Sequence, residues 1–531
     1  MKSFFRYFAI ITFCFFFTKI SAQDLPLIPY PQKVEIKTGN YELPKTIIFE
    51  KGILSKKYYL YKDILSKFDI KCELSDDRHK PNISFSSLLP FPNENFLSKG
   101  KYVLKINENK VFIKSTDDIG EFYALNTLIQ LLSSKSSIPN LEITDSPKFQ
   151  WRGMHLDVSR HFFPKEFIKK YIDFLAMYKM NTFHWHLTDD QGWRIEIKKY
   201  PKLTEIGAWR NRSMIGKYAD NKFEEKRYGG FYTQEDIKGI VKYASERHIT
   251  IIPEIEMPGH ASAAIAAYPE LGCTGKSIEV VGKWGVFDDI FCPKEETFTF
   301  LENVLKEVMH LFPSKIIHIG GDEAPKTQWK TNEIAQALIK KEGLRDEHEL
   351  QSYFIQRIEK FLNKHGREII GWDEILEGGL APNARVMSWR GEDGGIAAAN
   401  FSHEVVMTPG NFCYFNHYQG NPETEPIAFG GYTSTEKVYS YHVIPEKLAE
   451  DKKKFVLGTQ GNVWTEYITT PEQVEYMVFP RITALSEVLW GTNSDFTNFK
   501  KRVQSQYPIW DQLKINYSKE SINQPLNLPK K

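Results

Sequence analysis

The segment Lys315-Ile316-Ile317-His318-Ile319-Gly320-Gly321-Asp322-Glu323-Ala324-Pro325 decides how the chain is read. An apolar run leads into two glycines, and two adjacent carboxylates follow. A buried strand that ends this way opens at its C-terminal end and delivers acids into a pocket. Adjacent acids alone would suit a solvated turn. Their place directly after a β-run and Gly-Gly favours a functional site.

Working outward, seven further runs predict strands: residues 153–158, 182–187, 250–255, 368–372, 385–389, 404–408 and 455–459. Helices fall between several of them. Residues 165–180 put Phe167, Ile168, Tyr171, Ile172, Leu175 and Ala176 on one face, and 349–364 repeat that spacing with Leu350, Phe354, Ile358, Phe361 and Leu362. Thr233 and Asp236 have the capping-box spacing for a helix running to about Arg247. The pattern over 391–400 is unclear. Eight β-runs with intervening helices predict an α/β fold, a (β/α)8 TIM barrel over residues 146–495. A doubly wound open sheet is the competitor, but no Gly-rich phosphate loop follows the first strand.

Ahead of the barrel, residues 23–145 read as a separate small α/β domain. Strands are expected at 33–36, 46–49, 102–106 and 110–115, and helical spacing at 123–132. Pro147 marks the boundary. Residues 496–531 are assigned to a C-terminal helix and tail.

Residues 1–22 carry a basic start (Lys2, Arg6), a short apolar core and Ser21-Ala22 before Gln23. This pattern predicts a secretory signal peptide, since the core is too short to span a bilayer. The expected product is exported, periplasmic or secreted. Removing Lys2, Arg6 and Lys19 moves the formal charge from +2 to −1. That balance favours neither nucleic acid nor an anionic membrane, and no later segment is apolar enough to be an integral membrane span. Four cysteines remain (Cys72, Cys273, Cys292, Cys413) without a CxxC pair, which argues against structural zinc. Cys273 and Cys292 flank a Gly-rich, Trp-containing loop. A disulfide between them and two free buried thiols are both open readings.

Active sites in such barrels sit at the C-terminal strand ends. Here those ends carry Asp157 to His161, His184 to Asp190, Glu254 to His260, Asp322 and Glu323, Trp372 to Glu374, and Trp389-Arg390. Tyr414 and Asn416 follow the seventh strand, Trp464 and Glu466 the eighth. Several indoles around one mouth suit the apolar faces of a pyranose, and Arg, Asp, Asn and Glu suit its hydroxyls. Retaining glycosidases of the two-carboxylate kind need acids on opposite sides of the scissile bond, roughly 5 Å apart. Asp322 and Glu323 are neighbours and poorly placed for that. Glu323 is therefore expected to protonate the leaving oxygen, with its pKa raised by apolar surroundings and by Asp322, while Asp322 holds part of the substrate.

The motifs GMHLDVSRHF, FHWHLTDDQGWR, PEIEMPGH, HIGGDEAPKTQW, GWDEI and NVWTEY together resemble glycoside hydrolase family 20, the β-N-acetylhexosaminidases. The resemblance covers nearly the whole chain after the leader, including the small N-terminal domain. It implies exo-acting removal of terminal N-acetylhexosamine, with the sugar's own acetamido oxygen as nucleophile. On that pattern Asp322 orients the acetamido N–H and Glu323 is the general acid and base. Tyr414 binds the acetamido oxygen, and Trp372, Trp389 and Trp464 wall its methyl group. Arg160 grips the 3- and 4-hydroxyls, Asn416 and Glu466 the 4- and 6-hydroxyls, while Asp189 and His260 support the acids. No metal or cofactor is expected, and the partners are glycans ending in N-acetylhexosamine.

Two positions depart from the family pattern. Thr465 replaces a common glycine within a looser GTQGNVW context, and Asn416 stands where many members carry aspartate. Within the same chemistry, release of a disaccharide in the manner of a lacto-N-biosidase is the alternative. Outside it, His184, His186, His260 and Asp322 could serve a metal-dependent amidohydrolase. A non-catalytic carbohydrate-binding protein would need the tryptophans and Arg160 but not both acids.

Overall fold

In the computed structural model, residues 25–50, 57–77, 82–87, 99–108, 110–134 and 137–528 are described. The leader assigned to residues 1–22 lies outside them. The N-terminal unit is a seven-stranded mixed sheet: β1 (Lys33–Glu42), β2 (Ile47–Glu50), β3 (Cys72–Ser75), β4 (Ile83–Ser87), β5 (Tyr102–Ile106), β6 (Val111–Ser115) and β7 (Ser137–Asp145), in the order β1-β7-β5-β6-β4-β2-β3. Helices α1 (Tyr58–Ser66) and α2 (Asp118–Ser134) complete it. Three strands go beyond the sequence reading: β3, β4 and β7. The last contains Pro139, which pairs with Asn40 where the β1–β7 register shifts, a place where proline is tolerated.

The barrel closes from eight parallel strands: β8 (Trp151–Asp157), β9 (Thr182–His186), β10 (Thr250–Glu254), β11 (Ile316–His318), β12 (Glu368–Trp372), β13 (Arg385–Ser388), β14 (Val405–Met407) and β15 (Val456–Gly461). β15 pairs back onto β8. Outside it run α3 (Lys165–Met177), α4 (Gln234–Ser245), α5 (Glu295–Leu311), α6 (Glu347–Lys364), α7 (Asp393–Asn400) and α8 (Arg481–Trp490). Thr233 and Asp236 form the expected reciprocal cap on α4. The stretch left unclear at 391–400 holds the short α7. After β12 comes only a 3-10 turn, Asp373–Leu376. The final helix is α9 (Phe496–Gln512).

The two units meet through buried polar contacts. Asp145, at the end of β7, accepts hydrogen bonds from Tyr102 at 2.6 Å and from the indole of Trp490 at 2.7 Å. It also pairs with the buried ammonium of Lys179 at 3.2 Å. Arg152 of β8 donates to the hydroxyl of Tyr123 on α2. A buried carboxylate is tolerated when donors surround it in this way.

Candidate active site

The site is built from the barrel floor upward. Glu254, at the end of β10, is fully buried and gathers three imidazoles and an indole. His184 lies 3.0 Å and His318 2.8 Å from its carboxylate, the indole of Trp372 donates at 2.8 Å, and His186 Nδ1 bonds it closely. Of the four side chains named as rival metal ligands, His184 and His186 lie against this carboxylate, and His260 lies against Asp322. His186 and Glu254 continue upward. His186 Nε2 meets Asp189 at 2.7 Å, Asp189 lies 3.3 Å from His260 Nδ1, and His260 Nε2 reaches Asp322 at 3.6 Å and Glu323 at 3.5 Å. Asp189 also pairs with Arg160 at 2.8 Å. Carboxylate and imidazole alternate from the barrel core to the acid pair.

The acids do not sit on a strand. β11 ends at His318, and Gly320 (φ 66°) and Gly321 (φ 94°) turn the chain through the left-handed region. Glycine is required there: a Cβ on Gly320 would collide with the Glu256 carboxylate, and one on Gly321 with Ile375. Glu323 (φ 42°) and His260 (φ 50°) share that backbone region, which is strained for residues with a Cβ. Asp322 is therefore turned inward and buried, whereas the Glu323 side chain is 41% exposed.

Every sequence-predicted substrate-binding residue lines one cavity: Arg160, Asp189, His260, Trp372, Trp389, Tyr414, Asn416, Trp464 and Glu466, together with Asp322 and Glu323. Trp389 and Tyr414 stack at 6.1 Å, and Trp372 and Trp464 meet at 5.6 Å. The Arg160 guanidinium lies 5.1 Å over the Trp464 ring, and its Nε donates to Gln191 at 2.9 Å. Several buried acceptors here have no hydrogen-bond partner among the described residues: Asp322 Oδ1, Asn416 Oδ1, Glu466 Oε2 and both oxygens of Glu256. Such atoms are rare in folded proteins, and at a cavity they suit donors from a ligand.

One expectation is reversed. Glu323 does not carry the raised pKa. Hydrogen bonding from His260 holds it below the usual glutamate range, with burial opposing. The raised acid is Asp322, which burial pushes up to about 6 against the pull of His260. The sequence placed His260 near the acids but not its Nε2 against Glu323. Burial would lower His260, yet Asp189 first and then Asp190 and Glu323 raise it well above the ordinary value.

Sequence reasoning missed two lining residues, Glu256 and Phe429. Burial, then the charge of Asp322, raises the Glu256 pKa well above its ordinary value. Its presence in PEIEMPGH was the available signal. Phe429, 55% exposed, carried none, because it lies in an irregular loop. Glu374 was quoted without a role. It accepts the Trp389 indole N–H at 2.9 Å, and burial pushes it up to about 9. Cys273 and Cys292 are disulfide-bonded, and the loop they close brings Lys283, whose carbonyl accepts from Gln191 at 3.0 Å.

A parallel barrel whose strand ends deliver two acids into an indole-walled cavity is the architecture of a glycoside hydrolase. The model of glycosyl hydrolase family 20, catalytic domain, matches residues 149–493, and that of its domain 2 matches 24–146. The chain belongs to glycosyl hydrolase family 20. It is 49% identical to a beta-hexosaminidase of Porphyromonas gingivalis over 81% of its own length and 56% of that protein. A beta-hexosaminidase of Vibrio furnissii is 39% identical over 73% of this chain and 65% of its own. The chain thus spans little more than half to two thirds of these relatives. Among solved structures, the exo beta-N-acetylglucosaminidase of Vibrio harveyi in complex with N-acetylglucosamine superposes with a TM-score of 0.82 at 34% identity, covering 94% of this chain and 79% of that one.

Proposed function

We propose that this protein is an exo-acting β-N-acetylhexosaminidase, releasing terminal non-reducing β-linked GlcNAc or GalNAc by retaining, substrate-assisted hydrolysis. The observation that carries this reading is that Asp322 and Glu323 approach the same atom, His260 Nε2, at 3.6 and 3.5 Å. Both acids therefore stand on one side of the cavity, and neither can serve as a nucleophile opposite the other. This one-sided arrangement favours a nucleophile supplied by the substrate itself, its acetamido oxygen.

In this reading the free Oδ1 of Asp322 accepts the acetamido N–H. Tyr414 donates to the acetamido oxygen as it attacks the anomeric carbon, and the indoles of Trp372, Trp389 and Trp464 enclose the methyl group. The ionised form of Asp322 stabilises the positive charge that develops on the acetamido group. Glu323 gives a proton to the leaving oxygen, then takes one from water. Because His260 is cationic and Glu323 anionic at rest, the pair together holds the proton that the leaving oxygen receives. Arg160 binds the 3- and 4-hydroxyls, while Asn416 and Glu466 take the 4- and 6-hydroxyls.

Export to the periplasm or medium is part of the proposal. The basic and apolar leader supports it, as does the Cys273–Cys292 disulfide, which suits an oxidising compartment. Among the described residues no helix is long and apolar enough to cross a membrane.

The test is hydrolysis of 4-nitrophenyl N-acetyl-β-D-glucosaminide beside the plain β-glucoside, with and without EDTA. Release from the acetamido sugar alone, unaffected by EDTA, is expected. Equal release from the glucoside would defeat the substrate-assisted reading, and loss on chelation would point to a metal.

A further inference from the structure

The segment that carries the two acids also carries Lys326, three residues past Glu323, and the proposed reaction gives this lysine no part. Lys326 is not among the residues that line the cavity. Its ammonium turns back and donates to the carbonyl of Ala324 at 2.7 Å and to the side-chain oxygen of Gln351. Gln351, buried on α6, carries the connection further: its Nε2 donates to the carbonyl of Gly321 at 2.8 Å. The carbonyls of Gly321 and Ala324 bracket the acid pair, and one ammonium and one amide join them. Among the described residues neither carbonyl accepts a backbone hydrogen bond.

Both ends of this bridge are anchored. Lys326 leads into a short helix, Thr327–Thr331, in which the buried Trp329 donates its indole N–H to the carbonyl of Phe291 at 3.1 Å. The ring of Trp329 stacks on Phe354 of α6 at 6.4 Å. Gly259 closes on the acid loop as well: a Cβ there would stand 2.9 Å from the Asp322 carbonyl and 3.3 Å from the Ala324 Cα. The loop needs such holding. Glu323 keeps a left-handed φ of 42°, a conformation that persists only where the surroundings impose it. Its side chain is exposed, so packing does little to fix it. Burial lowers the pKa of Lys326 to about 8 against the pull of Glu377, Glu374 and Glu347, as befits an ammonium whose hydrogen bonds go to protein rather than water.

We infer that Lys326 and Gln351 are positioning residues that fix the reach of Glu323 towards the leaving oxygen by bridging the carbonyls of Gly321 and Ala324. The inference rests on the hexosaminidase reading and adds two residues to its machinery, neither of which lines the sugar cavity. A general acid works only within hydrogen-bond reach of the oxygen it protonates. A displacement of about 1 Å is enough to cost about 10²-fold. Without the bridge the loop can relax out of the left-handed region and take Glu323 with it, while the cavity walls stay in place.

The experiment uses Lys326→Met, which keeps most of the side chain and removes its donors, with Lys326→Arg as the conservative control. On β-1,4-linked N-acetylglucosamine dimer, kcat should fall about 10- to 100-fold in Lys326→Met with KM little changed. On 2,4-dinitrophenyl N-acetyl-β-D-glucosaminide, whose leaving group needs no proton, the loss should stay below about threefold. Lys326→Arg should recover most of the dimer activity. In a Glu323→Gln background Lys326→Met should add nothing, because the group it positions is already gone. An equal loss on both substrates, an added loss in Glu323→Gln, or full dimer activity in Lys326→Met would overturn the inference. Should Lys326→Met not fold, Gln351→Glu carries the same predictions, since it keeps an acceptor for Lys326 and loses the donor to Gly321. Amide hydrogen exchange tests the bridge without substrate: residues 320–326 should exchange faster in the variant than in the wild type, and the rest of the barrel alike. If the wild type turns over neither sugar, the hexosaminidase reading has failed and exchange alone decides the bridge; unchanged exchange at 320–326 would end it.

Discussion

The imidazole of His260 faces Glu323 across 3.5 Å, and this pairing sets the charge in which the acid waits. Glu323 is held ionised and His260 protonated, the reverse of a carboxylic acid stored neutral in an apolar pocket. In the proposed reaction the acid would draw its proton from this neighbour, whose own charge Asp189 secures.

Glu323→Gln removes the proton donor without changing shape. Turnover on oligosaccharides should fall by about 10²- to 10⁴-fold, and much less on 4-nitrophenyl substrates, whose leaving group needs little protonation. Product binding should persist. Steady-state kinetics on both substrate types checks this, and a uniform loss would remove Glu323 from the acid role.

Asp322 should impose the acidic limb of the pH profile. Its functional form is the anion, and burial puts its pKa at about 6, so kcat/KM of the free enzyme should decline as pH falls through that value. Asp322→Asn should lose activity at every pH while the circular dichroism spectrum is retained. A wild-type profile flat down to pH 4.5 would contradict the assignment.

His186 supplies a stability signature. Burial alone would lower its pKa, but Glu254 and Asp189 more than offset this and raise it to about 10. A folded-state pKa above the unfolded one favours folding fully below the unfolded value of about 6.5. That contribution fades as pH rises and is lost through about 10. Denaturation midpoints of the wild type should therefore drop between pH 7 and 10.5, and the drop should shrink in His186→Phe. An identical pH slope in both proteins would show that His186 is not the group responsible.

Removing the hub beneath the site should cost more than removing a cap on it. Glu254→Gln leaves three imidazoles and an indole donor without their anion in the buried barrel interior. Loss of one partner from a buried charged cluster costs about 3–5 kcal/mol. Urea denaturation is expected to show a loss of that order, and a change below about 1 kcal/mol would mean the cluster behaves as a solvated one.

Much of this was legible in the sequence, for physical reasons. Barrel strands buried on both faces read as short apolar runs, which is why residues 315–319 and 368–372 announced themselves. Their ends gather at one mouth by topology alone, so Trp372, Tyr414 and Glu466 could be grouped without coordinates. Strand β7 could not be read, because Pro139 interrupts its pattern and sits opposite Asn40, where the register of β1 shifts after Ile36. The charge state of Glu323 was read the wrong way round for a similar reason. It depends on the angle at which His260, from another strand end, enters the site.

Asp145 belongs to the small sheet, yet three groups that complete its environment include Lys179 and Trp490 of the barrel. An isolated catalytic half would leave Lys179 beside Arg152 without its counter-ion. Selection acting on either half is thus felt by the other, and the two should melt together and be inherited together. Shuffling this barrel onto another partner would first require rewriting that seam.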